Sequence, residues 1–275
     1  MFPLAALALA VVMIGSAAVL TVRHFAATMG NNASTAWLQQ EPALRDQAAA
    51  WVSQQVSFSA KVACDQTMCS SLSQAGFPAG QLIMLRETST DLTSSNVVVV
   101  TPVVRAMFGT SIDTAYAPAI LVSFGTGTAK IDVRLVAPNG VVTYQSMLGQ
   151  AINQRKEDDA TLVGINGITL SSTALDQLNG GQVDSRLVYA IAQVASTYSV
   201  HIVGFGNVGM GASRGVPLRY ADIAENLPAS QLGAMRSALA GLGNGIRPAR
   251  TQDVTLADNQ TVLRVEFTAP TPSSS

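Results

Sequence analysis

The chain is poor in the residues that most often carry catalysis or bind metals. Its 275 residues include two histidines, His24 and His201, and two cysteines, Cys64 and Cys69. A Ser-His-Asp triad needs an imidazole beside an acid and a nucleophile, and a typical zinc site needs several His or Cys ligands. The histidines lie in different regions, and the cysteines have no nearby partner ligands. The sequence therefore argues against a His-based hydrolase or a zinc enzyme, and we expect no metal and no cofactor.

Charged side chains are also scarce. They make up 12% of the residues, the net charge is −1, and only three of the basic residues are lysines. Because there is no basic run, nucleic-acid binding has no electrostatic footprint in this chain. Hydrophobic residues make up 48% of the chain, which is enough to build a sizeable core. The composition therefore fits a globular body that does not bind nucleic acid.

The longest uncharged stretch stands at the beginning. Residues 2–22 read FPLAALALAVVMIGSAAVLTV, which meets the length of about 20 apolar residues that a transmembrane helix needs. A signal peptide would have a basic region before a shorter apolar core, and nothing basic precedes this run. We predict a transmembrane anchor at 1–24, a linker at 25–35 and, at the other end, a disordered tail at 269–275.

The sequence gives conflicting signals about the side of the membrane on which the body lies. Arg23 and His24 follow the apolar run, and the positive-inside rule would then place the body in the cytoplasm. Against this, Cys64 and Cys69 could form a disulfide, as in an exported domain. The alternative is two small buried residues of one helix, which would face different sides and could not bond. We predict a single-pass protein of the cell membrane with an extracytoplasmic body.

Helical and extended patterns alternate over residues 36–138. Asp65 can cap the helix that follows it, and the β-branched run at 94–102 is typical of a strand buried on both faces. The GTGT turn between strands at 117–124 and 129–138 indicates a hairpin. This alternation predicts a three-layer α/β lobe with an antiparallel edge.

Residues 139–268 are predicted to form a second, smaller α+β lobe. A helix over about 144–157 ends in charged residues, so Asp158 and Asp159 are interpreted as part of a solvated helix end. Asp184 can cap the helix DSRLVYAIAQVAS, whose apolar residues recur at helical spacing along one face. The chain as a whole is therefore expected to be an α/β protein with two lobes behind its anchor.

A glycine-rich stretch follows the strand VHIVGF. Residues 204–209 match the pattern G-x-G-x-x-G, but a dinucleotide site requires a helix that opens within this loop. Gly211, Gly215 and Pro217 follow instead, which favours a flexible loop. His201, inside the preceding strand, is interpreted as a hydrogen-bonded core or rim residue.

Several polar residues lie near this loop in the sequence. We predict a ligand surface made of the loop over 206–219 and four charged residues: Asp184, Arg214, Arg219 and Asp222. The alternative is that these residues are helix caps and surface ion pairs, which are more frequent in proteins.

The first lobe resembles a known type of membrane protein. The resemblance rests on five segments: the Trp51-Val52 helix, ACD at 63–65, AGF at 75–77, NVVVVTPVVR at 96–105 and APAILVSFGTGTAKIDVRL at 117–135. Residues 47–137 are similar in their order to an α/β domain of actinobacterial glycosyltransferase-like proteins of the protein mannosyltransferase/ArnT type. In those proteins the domain follows the last membrane helix on the outer face. The resemblance implies an extracytoplasmic accessory lobe, and it does not imply transferase activity.

The second lobe resembles D-alanyl-D-alanine carboxypeptidase-like domains over residues 180–267. The similar segments are 180–205, GASRGVPLRYADI at 211–223 and LRVEF at 263–267. Arg214 stands where that family has a ligand His, Asp222 could match its ligand Asp, and Val265-Glu266 replaces its second His segment. The resemblance implies a metal-free, inactive relative that retains a binding groove.

These observations predict a non-catalytic binding or scaffolding protein of the bacterial cell envelope, accessory to glycan synthesis. Its expected partners are the membrane, through residues 2–22, and an envelope glycan or a membrane glycosyltransferase. The alternative is a divergent envelope hydrolase or glycosyltransferase component that uses carboxylates in place of His or zinc. A purely structural partner of another membrane protein is the third class.

Overall fold

The computed structural model describes residues 41–86, 89–224 and 229–269. The predicted anchor, the linker and most of the predicted tail lie outside these residues. Within them, no helix combines the length and the apolar character needed to cross a bilayer. The described residues from Arg45 onward belong to one compact unit.

Five strands form the first sheet: β1 (Val62–Cys64), β2 (Leu82–Met84), β3 (Val97–Val100), β4 (Ala119–Phe124) and β5 (Ile131–Leu135). Their order is β2-β1-β3-β5-β4. Strand β1 is parallel to β2 and β3, whereas β5 is antiparallel to β3 and β4. The antiparallel β4–β5 hairpin confirms the prediction from the GTGT turn. All four residues of β3 are buried, as its β-branched sequence predicts.

Four helices accompany this sheet: α1 (residues 41–55), α2 (Gln66–Gln74), α3 (Ser89–Thr93) and α4 (Pro102–Phe108). Three short helical turns cover Ala79–Gln81, Ile112–Tyr116 and Gly127–Ala129. The predicted cap of α2 is confirmed, because the Asp65 carboxylate accepts hydrogen bonds from the backbone N–H groups of Thr67 and Met68, both at 3.0 Å. Helix α1 runs to residue 55, and β1 begins only at Val62.

Buried side chains and a disulfide lie at the carboxyl ends of the parallel strands β1 and β3. Asp65 follows β1, Thr101 follows β3, and the Thr101 hydroxyl donates to the Asp65 carboxylate. Both side chains are buried. Cys64 ends β1 and forms a disulfide with Cys69 in α2, with Cα atoms 5.4 Å apart. Since Cys64 lies in a strand, the two cysteines do not share a helix. These contacts lie where open α/β sheets usually bind ligands.

The second sheet also has five strands: β6 (Ile168–Leu170), β7 (Val200–Gly206), β8 (Tyr220–Ala224), β9 (Arg250–Thr255) and β10 (Thr261–Glu266). Their order is β6-β7-β8-β10-β9. Only the β6–β7 pair is parallel among the pairs of this sheet. With two five-stranded mixed sheets and helices between the strands, the architecture is mixed α/β, as predicted. Strands β8 and β9 were not predicted from the sequence.

The helices of this half are α5 (Val141–Val163), α6 (Ser172–Asn179), α7 (Ser185–Ala195) and α8 (Ala229–Ala240). Leu187, Val188 and Ile191 of α7 are buried in one hydrophobic cluster with residues of α6, α8 and the sheet. The Asp184 carboxylate accepts from the backbone N–H of Arg186 and confirms the predicted cap of α7. The amphipathic pattern of α7 therefore correctly predicted its buried face.

Helix α5 is longer than the sequence pattern suggested. It continues through Val163, so Asp158 and Asp159 lie within the helix and are not its solvated end. Ile152, Arg155, Asp159 and Leu162 recur at spacings of three and four and share one helix face. Asp159 on that face is only 1% exposed. The interpretation of Asp159 as a solvated residue is therefore wrong, because the inward face of α5 passes through it.

A polar cleft beside the glycine-rich strap

Residues 207–219 join β7 to β8 without a helix, and we call this segment the strap. It lies along the edge strand β4 of the first sheet. The Ser213 N–H donates to the Ile120 carbonyl, and the Ile120 N–H donates to the Ser213 hydroxyl, both at 2.8 Å. The Ser123 N–H also donates to the Met210 carbonyl at 2.8 Å. The strap thus pairs an edge that would otherwise be open, and the helix required for dinucleotide binding is not formed in residues 207–219.

Glycine is required at the tightest point of this contact. Gly209 has φ +90°, and a Cβ atom there would overlap the Val122 side chain of β4. The backbone conformation and the lack of space both exclude a larger residue. Gly209, the last glycine of the G-x-G-x-x-G pattern, therefore serves close packing between the strap and the first sheet, in place of a pyrophosphate. A Cβ atom at Gly206 would instead overlap the Tyr220 side chain of β8.

Arg219, at the end of the strap, is completely buried. Its Nε donates to the Asn207 Oδ1 at 3.1 Å, and its Nη1 donates to the Gln55 Oε1 at 3.3 Å. The guanidinium also lies over the Trp51 ring, 5.6 Å from the centroid. Burial lowers the pKa of Arg219 to about 10. This side chain, predicted to bind a ligand, instead joins the strap to α1.

The contact around Arg219 extends to the second sheet. The Gln55 Nε2 donates to the Glu266 Oε1 at 2.6 Å, and Glu266 is a buried residue of β10. The Trp51 indole N–H donates to the Val208 carbonyl at 2.9 Å. The last turns of α1 are thus bonded to the strap and to β10 at the same place.

A cleft of about 570 Å³ opens beside the strap. Three segments form its wall: the inward face of α5, the turn between α6 and α7, and the strap. The lining residues are Ile152, Arg155, Gly180, Gly181, Gln182, Asn207, Ala212, Ser213, Arg214, Gly215, Val216 and Leu218. The volume falls within the range of small-molecule binding sites in proteins, about 300–1,000 Å³.

Arg155 holds two walls of the cleft together. Its Nε donates to the Gly181 carbonyl at 2.8 Å, and its Nη2 donates to the Gly215 carbonyl at 3.3 Å. Gly181 has φ +62°, and a Cβ atom there would come within 2.6 Å of the Ile152 carbonyl oxygen. Burial lowers the pKa of Arg155, while Asp184 and Asp159 act in the opposite direction from a distance. No carboxylate of the described residues forms an ion pair with it.

The remaining polar lining is neutral or positive. Arg214 is exposed, and its side chain forms no hydrogen bond or ion pair with any residue that the structure describes. Asn207, Gln182 and Ser213 add amide and hydroxyl groups. No Asp, Glu, His or Cys stands among the lining residues just named. The lining therefore carries two positive charges and several hydrogen-bond donors, without a general acid or base.

Of the four residues predicted as a ligand surface, the structure brings only Arg214 into the cleft lining. Asp184 caps α7, and Arg186 donates to both of its oxygens, at 2.9 and 2.7 Å. Asp222 accepts two hydrogen bonds from Arg264, at 2.7 and 2.8 Å. These two aspartates match the alternative interpretation, in which they are a helix cap and ion pairs.

The principal cleft residue that sequence reasoning missed is Arg155. It was placed in a charged helix end, whereas the spacing Ile152-Arg155-Asp159-Leu162 puts it on the buried face of α5. That periodicity was the available signal. Gln182 and Asn207 carry no comparable signal, because the chain fold alone brings their loops together.

The histidine and cysteine positions give no second site. His201 Nδ1 shares a hydrogen bond of 2.8 Å with the Thr169 hydroxyl across β6 and β7. No group of three or more His, Cys, Asp or Glu side chains that could hold a metal ion occurs in the described ranges. Neither observation identifies a second candidate site.

Comparisons with protein-family models, curated proteins and solved structures find nothing that matches this chain. The resemblances of the two lobes to envelope proteins are therefore expectations from the sequence alone.

Proposed function

We propose that this chain is a non-catalytic binding protein of the bacterial cell envelope, held at the membrane by residues 2–22, and that the cleft is its ligand site. The observation that carries the proposal is the chemistry of the lining. Two arginines and neutral hydrogen-bonding groups converge on a cleft that has no acid–base pair. Such a lining can orient a polar molecule, but it offers no group for proton transfer near neutral pH.

The Cys64–Cys69 disulfide supports an extracytoplasmic body, because disulfides persist mainly in oxidising compartments. The apolar run at the start of the chain and the resemblance of residues 47–137 to an outer-face domain agree with this placement. Arg23 and His24 favour the opposite side, but they are only two residues. We also propose that the first lobe ends near residue 138 and has the three-layer arrangement predicted from the sequence.

Catalysis by carboxylates is the alternative, and Asp159 is its best candidate. Burial raises the pKa of Asp159 to about 7, which suits a general acid. However, Asp159 does not line the cleft. A catalytic carboxyl must come within hydrogen-bond reach of its substrate. The position of Asp159 therefore favours binding over catalysis.

The expected ligand is an envelope glycan, and peptidoglycan is the first one to test because its peptide stems carry free carboxylates. A membrane glycosyltransferase remains the alternative partner. Co-purification of such an enzyme from native membranes, with no glycan bound, would favour the scaffolding role over direct glycan binding.

The proposal predicts that the full chain, in mild detergent, sediments with insoluble peptidoglycan. Arg214→Gln should weaken this binding about tenfold, because it removes an exposed charge that has no partner within the described chain. Arg86→Gln is the matched control, since the Arg86 side chain is 80% exposed and, among the residues that the structure describes, pairs only with Asp91. Equal sedimentation of all three proteins, or none by the unmodified chain, would contradict the proposal.

A further inference from the structure

We propose that the cleft binds an oxyanion, a carboxylate or a phosphate monoester, carried on a polar body such as a sugar, through Arg155, Asn207 and Arg214. This inference rests on the proposed function in one respect, namely that the cleft is the ligand site. It adds the chemical class of the ligand and the atoms that would hold it.

Arg155 has one free edge. A guanidinium presents two forks of N–H donors, and each can bind an oxyanion in a bidentate manner. The fork of Nε and Nη2 already donates to the carbonyls of Gly181 and Gly215. The other fork consists of Nη1 and the second N–H of Nη2. Nη1 makes no hydrogen bond to the described residues. The side chain is thus fixed by one edge and has donors left on the other.

Asn207 presents a donor because of Arg219. The Arg219 Nε–H can only donate, so the atom it meets at 3.1 Å must be the amide oxygen of Asn207. The Nδ2 group of Asn207 is then left with its two N–H donors, and it has no partner among the described residues. Arg219 is therefore a positioning residue, since it fixes the orientation of the Asn207 amide from inside the protein.

The electrostatics favour an anion over a neutral ligand. Arg155 forms no ion pair with a described carboxylate, and burial lowers its pKa although Asp184 and Asp159 act in the opposite direction. Arg214 adds a second charge on the strap side of the cleft, and no carboxylate lines it. A bound oxyanion would supply the missing counter-charge and accept from the free N–H groups.

The size of the cleft calls for more than a simple ion. At about 570 Å³ it can hold a small molecule, and the Gln182 amide and Ser213 hydroxyl can bond to its hydroxyl groups. A sugar that bears a carboxylate or a phosphate meets both requirements. The free carboxylates of a glycan-bound peptide would use the same fork of Arg155.

The test compares three probes that share one sugar body: glucose, glucuronate and glucose 1-phosphate. Each is titrated into the full chain in mild detergent, and binding is followed by ligand-observed NMR. We expect at least one of the two anions to bind about tenfold more tightly than glucose, with a preference that weakens as salt is added. The relative affinity of the two anions distinguishes a carboxylate site from a phosphate site.

Asn207→Asp is the most informative variant. It keeps the oxygen that accepts from Arg219, but it replaces the donor in the cleft by a negative charge. We expect anion affinity to fall about 100-fold, while the melting temperature does not fall, since the new carboxylate faces a buried cation. Arg214→Gln should lower the affinity about tenfold, and Arg86→Gln should leave it unchanged.

Equal binding of glucose and the anions, or unchanged anion affinity in Asn207→Asp, would overturn the inference. Binding of none of the three probes would overturn it too. If Asn207→Asp fails to fold, Arg214→Gln decides, because that side chain is exposed and has no partner in the described structure. Sedimentation with peptidoglycan is measured separately, so the ligand class can fail while the proposed function stands.

Discussion

Replacing Arg219 by alanine is expected to lower the free energy of unfolding by about 3–5 kcal/mol. The substitution empties a fully buried volume, removes the hydrogen bonds to Asn207 and Gln55, and removes the contact with Trp51. It also takes a positive charge away from Glu266, a buried carboxylate. The measurement is chemical denaturation of the full chain followed by circular dichroism.

Two comparisons show where the loss comes from. Arg219→Met fills most of the volume without donating hydrogen bonds, so it should recover part of the lost stability. Arg86→Ala removes an exposed arginine and should have a much smaller effect than Arg219→Ala. A loss below about 1 kcal/mol for Arg219→Ala would mean that this side chain does not secure the strap.

Replacing Asp159 by asparagine is expected to stabilise the protein at high pH by about 2–4 kcal/mol. The carboxyl is buried, neither of its oxygens has a hydrogen-bond partner in the described structure, and its pKa is raised from 3.8 to about 7. Arg155 opposes this shift and Asp158 adds to it. Asparagine has nearly the same shape and no charge, so it avoids the cost of ionisation.

The sign of the pH dependence follows from the direction of this shift. Below about pH 4 the carboxyl is protonated in both states and contributes little. Between about pH 4 and pH 7 the unfolded chain loses the proton while the folded chain keeps it, so stability falls as the pH rises. Above about pH 7 the full penalty is present. The gain from Asp159→Asn should therefore be small at pH 4 and largest at pH 8.

Asp176→Asn on α6 is the matched control for this measurement, because Asp176 is exposed. Its effect should be small and similar at both pH values. If Asp159→Asn instead destabilised the protein equally at pH 4 and pH 8, Asp159 would not be an uncompensated buried carboxyl in the folded state.

Local sequence patterns predicted much of the fold. The helical spacing of apolar residues and the capping residues correctly predicted α2 and α7. Asp65 and Asp184 each accept hydrogen bonds from backbone N–H groups of the first helical turn. Strand β9 was missed because it is an exposed edge strand of mostly polar residues, which gives no apolar alternation. Strand β8 was missed because it is short and follows the strap directly.

The site was harder to predict because it is formed by distant segments. Arg219 was grouped with Arg214 from their closeness in sequence, yet one is buried and the other is exposed. The difference arises from the partners of Arg219 in α1, more than 160 residues away. Charge and spacing within the strap carry no information about those partners. The cleft depends in the same way on Arg155 of α5, which donates hydrogen bonds to the turn between α6 and α7 and to the strap.

The strap links the cleft to the contact between the sheets. Ser213 pairs with Ile120 of β4, while its neighbour Arg214 lines the cleft. Asn207 lines the cleft and also accepts from the buried Arg219. A ligand in the cleft would therefore contact the same segment that pairs the edge of the first sheet.

Arginine labelling of intact cells shows whether an envelope ligand occupies the cleft. A membrane-impermeant, arginine-selective glyoxal reagent is applied to cells and, separately, to the purified full chain, and the modified residues are quantified by mass spectrometry. Arg86 and Arg214 are both exposed, so both should react in the purified chain. In cells, Arg86 should still react, whereas Arg214 should be protected by an envelope ligand. Equal labelling of both residues in cells would contradict occupancy of the cleft, and labelling of neither would contradict an extracytoplasmic body.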